Sequence, residues 1–336
     1  MKRTLRKVGN LRGKILIAVV LFILALQGCS PAAPQELDVV KVSVLPYVSY
    51  GGLIIAQDEG YFTDENLAVE FIRLEDASQA IPMLIGGDID VSGAGLNIGL
   101  LNAVADGKVK IVADRGYLAA DGCTYMALLA NPAWAEEFNA SPVEALTGAR
   151  VSIDVLNFEG FIFEQVLSEY GLTLADIIPT DISPPNLIDA VTNDSIDLIS
   201  IGEPWLTRLM DSGLVTQWKL EQEIVPDMQF GMIVFGPTLL VDRPDVGERF
   251  IKAYLKGLQQ YAEGATERNV EIMAGYTGLD VDLLQRACWP PMHTDGIITT
   301  ETIDSYQAWV LSNDLIENIL PVSEYWYPDF IEAAGK

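Results

Sequence analysis

From residue 40 onward, apolar and polar positions follow two rhythms in turn. Residues 40–45, Val-Lys-Val-Ser-Val-Leu, alternate almost one for one, as a strand with one buried face does. Residues 52–58 then run apolar through Leu53-Ile54-Ile55-Ala56 and lead into Glu59-Gly60, where glycine can take the left-handed turn that ends a helix. Strand spacing returns at 68–73, helix spacing at 78–85, strand at 89–93, helix at 97–105 and strand at 109–113. Asp76 or Ser78 can cap the second of these helices, and Pro82 inside it demands a late start near Ser78. Strands joined by helices of this length predict parallel sheets with right-handed crossovers.

The same grammar restarts after residue 148. Strands are predicted at 149–153, 177–182 and 197–201, with helices at 160–170 and 187–192 between them. A strand-like run at 123–130 leaves the first unit, and one at 230–235 could return to it. From Pro244 the chain turns helical, over 245–263, 267–276, 281–287 and 300–312. The expected architecture is α/β, with two parallel-sheet lobes joined by two crossover strands. The first lobe is 38–120 with 236–336 and the second is 121–235, the C-terminal helices packing back on the first. A cleft between the lobes follows, and such clefts are where small ligands bind.

The N-terminus has a different character. Six basic residues between Lys2 and Lys14 precede an apolar run at 15–26 that is short for a membrane span. This reads as a signal peptide over 1–28. Leu26-Gln27-Gly28-Cys29 resembles a bacterial lipobox, in which Cys29 becomes the lipidated first residue, and 29–37 is then a Pro/Ala tether. The alternative is an ordinary secretory signal with a chance cysteine. The whole chain carries 21 basic and 47 acidic residues, and residues 1–28 hold six of the basic and none of the acidic ones. So acidic a body repels nucleic acid and anionic lipid heads, which leaves a lipid at Cys29 to hold it at a membrane. Cys123 and Cys288 can pair in an exported chain or remain buried thiols. His293 is the sole histidine, so no His-based metal cluster can be built, and no metal or cofactor is expected.

Several segments, in order, resemble periplasmic binding proteins of the nitrate, sulfonate, taurine and thiamin-pyrimidine superfamily. They are 52–62 with Leu67-Ala68-Val69-Glu70, the Leu84-to-Gly93 segment around Gly86-Gly87-Asp88-Ile89-Asp90, Leu146-Thr147-Gly148, Ile196-Asp197-Leu198, Glu203-Pro204-Trp205 and 243–254. Asn66 stands where that family usually has glycine. The resemblance implies a type II binding protein that closes over a solute and delivers it to an ABC permease and its ATPase. The protein is expected to be a monomer and not an enzyme.

Ligands of open parallel sheets sit past the C-terminal ends of strands. Candidate ligand-binding residues there are Tyr47, Asp76, Ser78, Gly95, Asn97, Tyr117, Asn157, Phe158, Glu159, Glu203 and Trp205. Tyr47 reads equally as a ring wall or as packing. Gly95 and Asn97 lie in a glycine-rich turn before a helix, and Asn157 is as much a helix cap as a contact. Glu203 beside Trp205 is the leading candidate, a carboxylate able to accept two bonds from an amino-substituted ring. Arg115 could pair with an anion or with surface carboxylates. The Cys288-to-His293 group reads as loop packing.

Glu75, Asp76, Glu159 and Glu203 against one Arg115 predict a neutral or weakly basic aromatic ligand, an aminopyrimidine or other vitamin-like heterocycle, flavin included. A sulfonate, taurine or nitrate anion is the alternative. A thiamin-pyrimidine synthase is the alternative of another class. It needs a cleft lysine and histidine, and no lysine lies at a predicted strand end.

Overall fold

The computed structural model describes residues 36–74, 77–180 and 182–335. The signal segment and Cys29 therefore lie outside the described residues, as do Glu75 and Asp76. Ten strands form two sheets of five: β1 (Asp38–Val44), β2 (Leu67–Arg73), β3 (Val91–Gly95), β4 (Lys110–Leu118), β5 (Met126–Ala130), β6 (Arg150–Ser152), β7 (Ile178–Thr180), β8 (Leu198–Gly202), β9 (Thr216–Leu220) and β10 (Met228–Phe235). The first sheet has the order β2-β1-β3-β10-β4 and the second β7-β6-β8-β5-β9.

The sheets are mixed rather than parallel. β1, β2 and β3 run parallel, as do β6, β7 and β8, each linked by helical crossovers. β10 is antiparallel to both β3 and β4, and β5 is antiparallel to both β8 and β9. The reason is topological. β5 and β10 reach their sheets from the other lobe, without a helical crossover to fix a parallel direction. β10 also belongs to the first sheet, so the chain is back in that lobe by Met228, ahead of the expected boundary at 236.

Local rules explain the helices that place the site. Pro82 is the third residue of the Ala80–Gly86 helix, which begins after a 3-10 turn at Ala77–Gln79, the late start that proline requires. The Pro244–Tyr261 helix starts on proline and buries Val246, Phe250, Tyr254, Leu258 and Tyr261 along one stripe. It packs on the Gly51–Asp58 helix so closely that a Cβ at Gly257 would stand 2.2 Å from the Gly52 carbonyl oxygen. One hydrophobic core spans the first sheet and reaches Tyr125, Met126, Phe158, Phe161 and Ile162 on the way into the second. Two smaller cores cover the two faces of the second sheet. Cys123, between β4 and β5, is joined to Cys288 in a disulfide with a Cα–Cα distance of 5.5 Å. Among the described residues no helix is long and apolar enough to cross a membrane.

Candidate functional site

Arg115 on β4 is 5% exposed. Its guanidinium lies 4.1 Å from the centre of the Tyr50 ring, a cation over an aromatic face. Nη1 donates to Ser49 Oγ at 2.7 Å and Nη2 to the Ala94 carbonyl at 3.3 Å. Nε is buried without a partner, and among the described residues Arg115 makes no ion pair. Two glycines make room for this group. A Cβ at Gly93 would stand 2.4 Å from the Tyr50 ring, and one at Gly231 would stand 2.9 Å from Arg115 Nη2. The Tyr50 hydroxyl donates to the Gly93 carbonyl, which locks the ring under the cation.

Tyr125, at the entry to β5, completes the cluster. Its ring stacks on Phe230 at 4.9 Å, and its hydroxyl lies 3.1 Å from Ser49 Oγ. Its backbone carbonyl accepts the Glu203 N–H at 3.0 Å, and a Cβ at Gly202 would stand 3.3 Å from the tip of its ring. Tyr125 thus touches the ends of strands from both sheets. Burial pushes the Tyr50 and Tyr125 hydroxyls up, with the Arg115 charge acting against it, so both carry their protons at neutral pH.

The structure gathers most of the residues singled out from the sequence around this meeting of lobes. Tyr47 packs against the core of the first sheet and also against the cluster that holds Trp205. Asn97 caps the Ile98–Ala105 helix and Asn157 caps the Phe158–Ser168 helix. The two caps face each other in an antiparallel bridge, with Phe158 N–H on the Leu96 carbonyl at 3.1 Å and Ile98 N–H on the Leu156 carbonyl at 3.2 Å. Asn97 Nδ2 also donates to the Gly95 carbonyl, and Phe158 leans on Phe230 at 5.9 Å. Ser78 sits exposed on the Ala77–Gln79 turn. Tyr117 instead stacks on His293 at 4.4 Å, and His293 Nδ1 lies 3.1 Å from the buried Asp114 carboxylate. The His293 loop is therefore tied to β4 by a carboxylate that no sequence spacing revealed.

The expected negative balance of the cleft changes on folding. Glu203 is 3% exposed, and its carboxylate is already engaged by Thr207 N–H at 3.0 Å, Thr207 Oγ1 at 2.7 Å and Cys288 N–H at 3.3 Å. Burial raises its pKa. Burial, with Glu221 and Asp154 nearby, pushes the Glu159 carboxyl well above the ordinary range, which favours its neutral form. Asp76 and Glu75 lie outside the described residues. Arg115 is the buried cation of the cluster and has no carboxylate partner among the described residues.

Ser49 and Tyr125 were not singled out from the sequence. Ser49 lies five residues past the end of β1, a place that the strand pattern makes readable. Tyr125 had no local signal, since its role depends on Phe230 and Ser49. Four buried side-chain atoms lack partners among the described residues: Arg115 Nε, Trp205 Nε1, the Tyr276 hydroxyl and Glu221 Oε2. Three of these groups carry hydrogen-bond donors. No group of three or more His, Cys, Asp or Glu that could hold a metal occurs among the described residues.

Comparison with known proteins agrees with this architecture. The protein named "Putative aliphatic sulfonates-binding protein" of Bacillus subtilis strain 168 is 22% identical over 301 residues, covering 88% of this chain and 87% of that one. The ligand-binding component of an ABC-type import system from Staphylococcus aureus, solved with zinc bound, superposes with a TM-score of 0.74 at 17% identity over 88% of this chain and 99% of that one. The alkanesulfonate-binding protein SsuA from Xanthomonas axonopodis pv. citri, bound to MOPS, gives 0.70 at 16% identity over 88% and 99%. The desulfurization enzyme DSZB shares the fold at 0.59 and 13% identity over 88% and 98%, so fold alone does not separate binding from catalysis. The family described as "NMT1/THI5 like" matches residues 48–267, the greater part of the chain. The chain belongs to the NMT1/THI5-like family.

Proposed function

We propose that this chain is the extracytoplasmic solute-binding component of an ABC importer and that its ligand is a small oxyanion of the sulfonate type, held where the two lobes meet. The observation that carries this reading is Arg115, a buried cation with no carboxylate partner among the described residues. A buried charge without a counter-charge is costly, and a bound anion supplies one. The guanidinium fork also matches the paired oxygens of an oxyanion. The unpartnered donors on Trp205 and Tyr276 call for an acceptor in the same way.

The ligand touches both lobes and so favours the closed form, by as much as it binds that form better than the open one. The closed monomer presents itself to a permease with its ATPase, and a lipid on Cys29 keeps it at the membrane facing outward. The Arg115 cluster offers no nucleophile set beside a base, so binding is proposed and turnover is not. An aromatic heterocycle, the sequence expectation, draws support from Tyr47 and Trp205, but the Glu203 carboxylate that was to recognise it already holds Thr207 and Cys288.

The test is a thermal-shift and calorimetric screen of the chain lacking residues 1–29 against alkanesulfonates, taurine, nitrate, thiamin pyrimidine and riboflavin. A ligand at about 100 times its Kd adds about 2.7 kcal/mol of stability. Sulfonates are expected to raise the midpoint, and Arg115→Gln to weaken them by about a hundredfold. A shift with a heterocycle and none with any anion overturns the oxyanion reading.

A further inference from the structure

We infer that Tyr125 positions the Ser49 hydroxyl as an obligate donor to the bound oxyanion, and in this way sets the site against oxyanions that carry a proton. The inference rests on the oxyanion reading of the Arg115 cluster. It follows from where the protons go. Arginine only donates, so Ser49 Oγ is the acceptor of Arg115 Nη1 at 2.7 Å. The Tyr125 hydroxyl, 3.1 Å away, donates to the same oxygen. A serine hydroxyl has two lone pairs and one proton. With both lone pairs engaged, only the proton is left, and it finds no acceptor among the described residues. The Arg115 Nε–H is left over beside it.

Nearby acceptors are already taken. The Ala94 carbonyl receives Arg115 Nη2 and the Gly93 carbonyl receives the Tyr50 hydroxyl. The Glu203 carboxylate receives three donors. The Asp114 carboxylate receives Gly116 N–H, Gln229 Nε2 and the His293 backbone N–H, with His293 Nδ1 alongside. The cluster therefore presents spare donors and no spare charged acceptor. A sulfonate has three accepting oxygens and no proton, and satisfies it. A phosphonate monoanion brings an O–H that is buried without a partner, and buried unpaired polar groups are what such sites discriminate against. Tyr125 closes the last lone pair of Ser49 that could have taken that proton. The ring is held for this role by its stack on Phe230, and Ser49, Arg115 and Tyr125 are all at least nine-tenths buried.

The experiment is calorimetric titration of the chain lacking residues 1–29 with propanesulfonate and propylphosphonate, at acidic and at alkaline pH. The unaltered protein is expected to bind the sulfonate with little pH dependence. It should bind the phosphonate at least about tenfold more weakly at acidic pH, with recovery as the second proton leaves. Tyr125→Phe is expected to narrow the sulfonate preference at acidic pH by about tenfold and to flatten the phosphonate pH profile. Ser49→Ala removes the donor itself and should weaken the sulfonate by about tenfold. Circular dichroism and melting midpoints establish that both variants fold. Equal weakening of both ligands by Tyr125→Phe, or an unchanged preference, overturns the positioning role and leaves the oxyanion reading standing. An unaltered protein that binds neither ligand overturns both.

Discussion

The Glu203 carboxylate, at the end of β8 in the second sheet, accepts the backbone N–H of Cys288 at 3.3 Å, in the C-terminal part of the chain that returns to the first lobe. The same carboxylate accepts both Thr207 N–H and Thr207 Oγ1, one helical turn on. Glu203 is thus a joint between lobes.

Glu203→Ala strands these donors in a buried setting, at an expected cost of about 1–3 kcal/mol. Urea unfolding should show the lower midpoint, while sulfonate affinity falls by less than the stability loss. A large loss of affinity at unchanged stability would return Glu203 to the ligand.

The disulfide fastens the segment between the sheets to the C-terminal loop. Replacing Cys123 and Cys288 together by serine is expected to lower stability by about 2–5 kcal/mol. Unfolding with and without reductant checks this: the unaltered protein should lose stability on reduction, and the double variant should be indifferent.

Much of the fold is legible in the sequence because burial there is periodic. Val40, Val42 and Val44 in β1 and the apolar stripe of the Pro244–Tyr261 helix are local records of a buried face. β9, Thr-Gln-Trp-Lys-Leu, escaped because it is an edge strand with no deeply buried face. The site was less legible. Arg115 reads from the sequence equally as a partner for an anion or for surface carboxylates, and its burial depends on Gly93 and Gly231, which are far from it along the chain. Glu203 stood at the expected strand end, but the use of its carboxylate was set by Thr207 and by Cys288, contributed from the other lobe. Charge counts along a sequence do not show which carboxylates have already found donors.

Glu221 is fully buried. Ser200 donates to Oε1 at 2.7 Å while Oε2 has no partner, and burial raises its pKa to about 7. The folded state therefore holds this proton after the unfolded chain has released it, so stability falls as pH rises from the ordinary carboxylate range to about 7. The loss is of the order of 3 kcal/mol. Glu221→Gln should remove it, giving a variant more stable than the parent above neutrality and nearly equal to it in acid, as read by melting midpoints across pH.

His293 shifts in the opposite chemical sense with the same sign for stability. Its bond to Asp114 raises its pKa and favours the charged ring in the folded state. That contribution is complete below about 6.5, the unfolded value, and disappears as pH rises through the folded one. NMR titration of the ring should show the raised pKa. His293→Gln should flatten the fall in stability over that window, and a parent ring titrating at or below its ordinary value would contradict the pairing.

β4, the strand that carries Arg115, has one neighbouring strand, β10, made more than a hundred residues later, besides an isolated bridge from Ile111 to Trp326. A nascent chain that has emerged only as far as β9 thus holds Arg115 on a strand that has no strand partner yet, with Phe230 and Gly231 still to come. Contacts so distant along the chain close slowly. With the solute held at Arg115 as proposed, its recognition is consequently among the last properties this polypeptide acquires during synthesis, after both passages between the lobes have been made. On the same proposal, a chain exported in extended form gives up nothing by it, because the Arg115 cluster comes into being only once the whole of it has arrived.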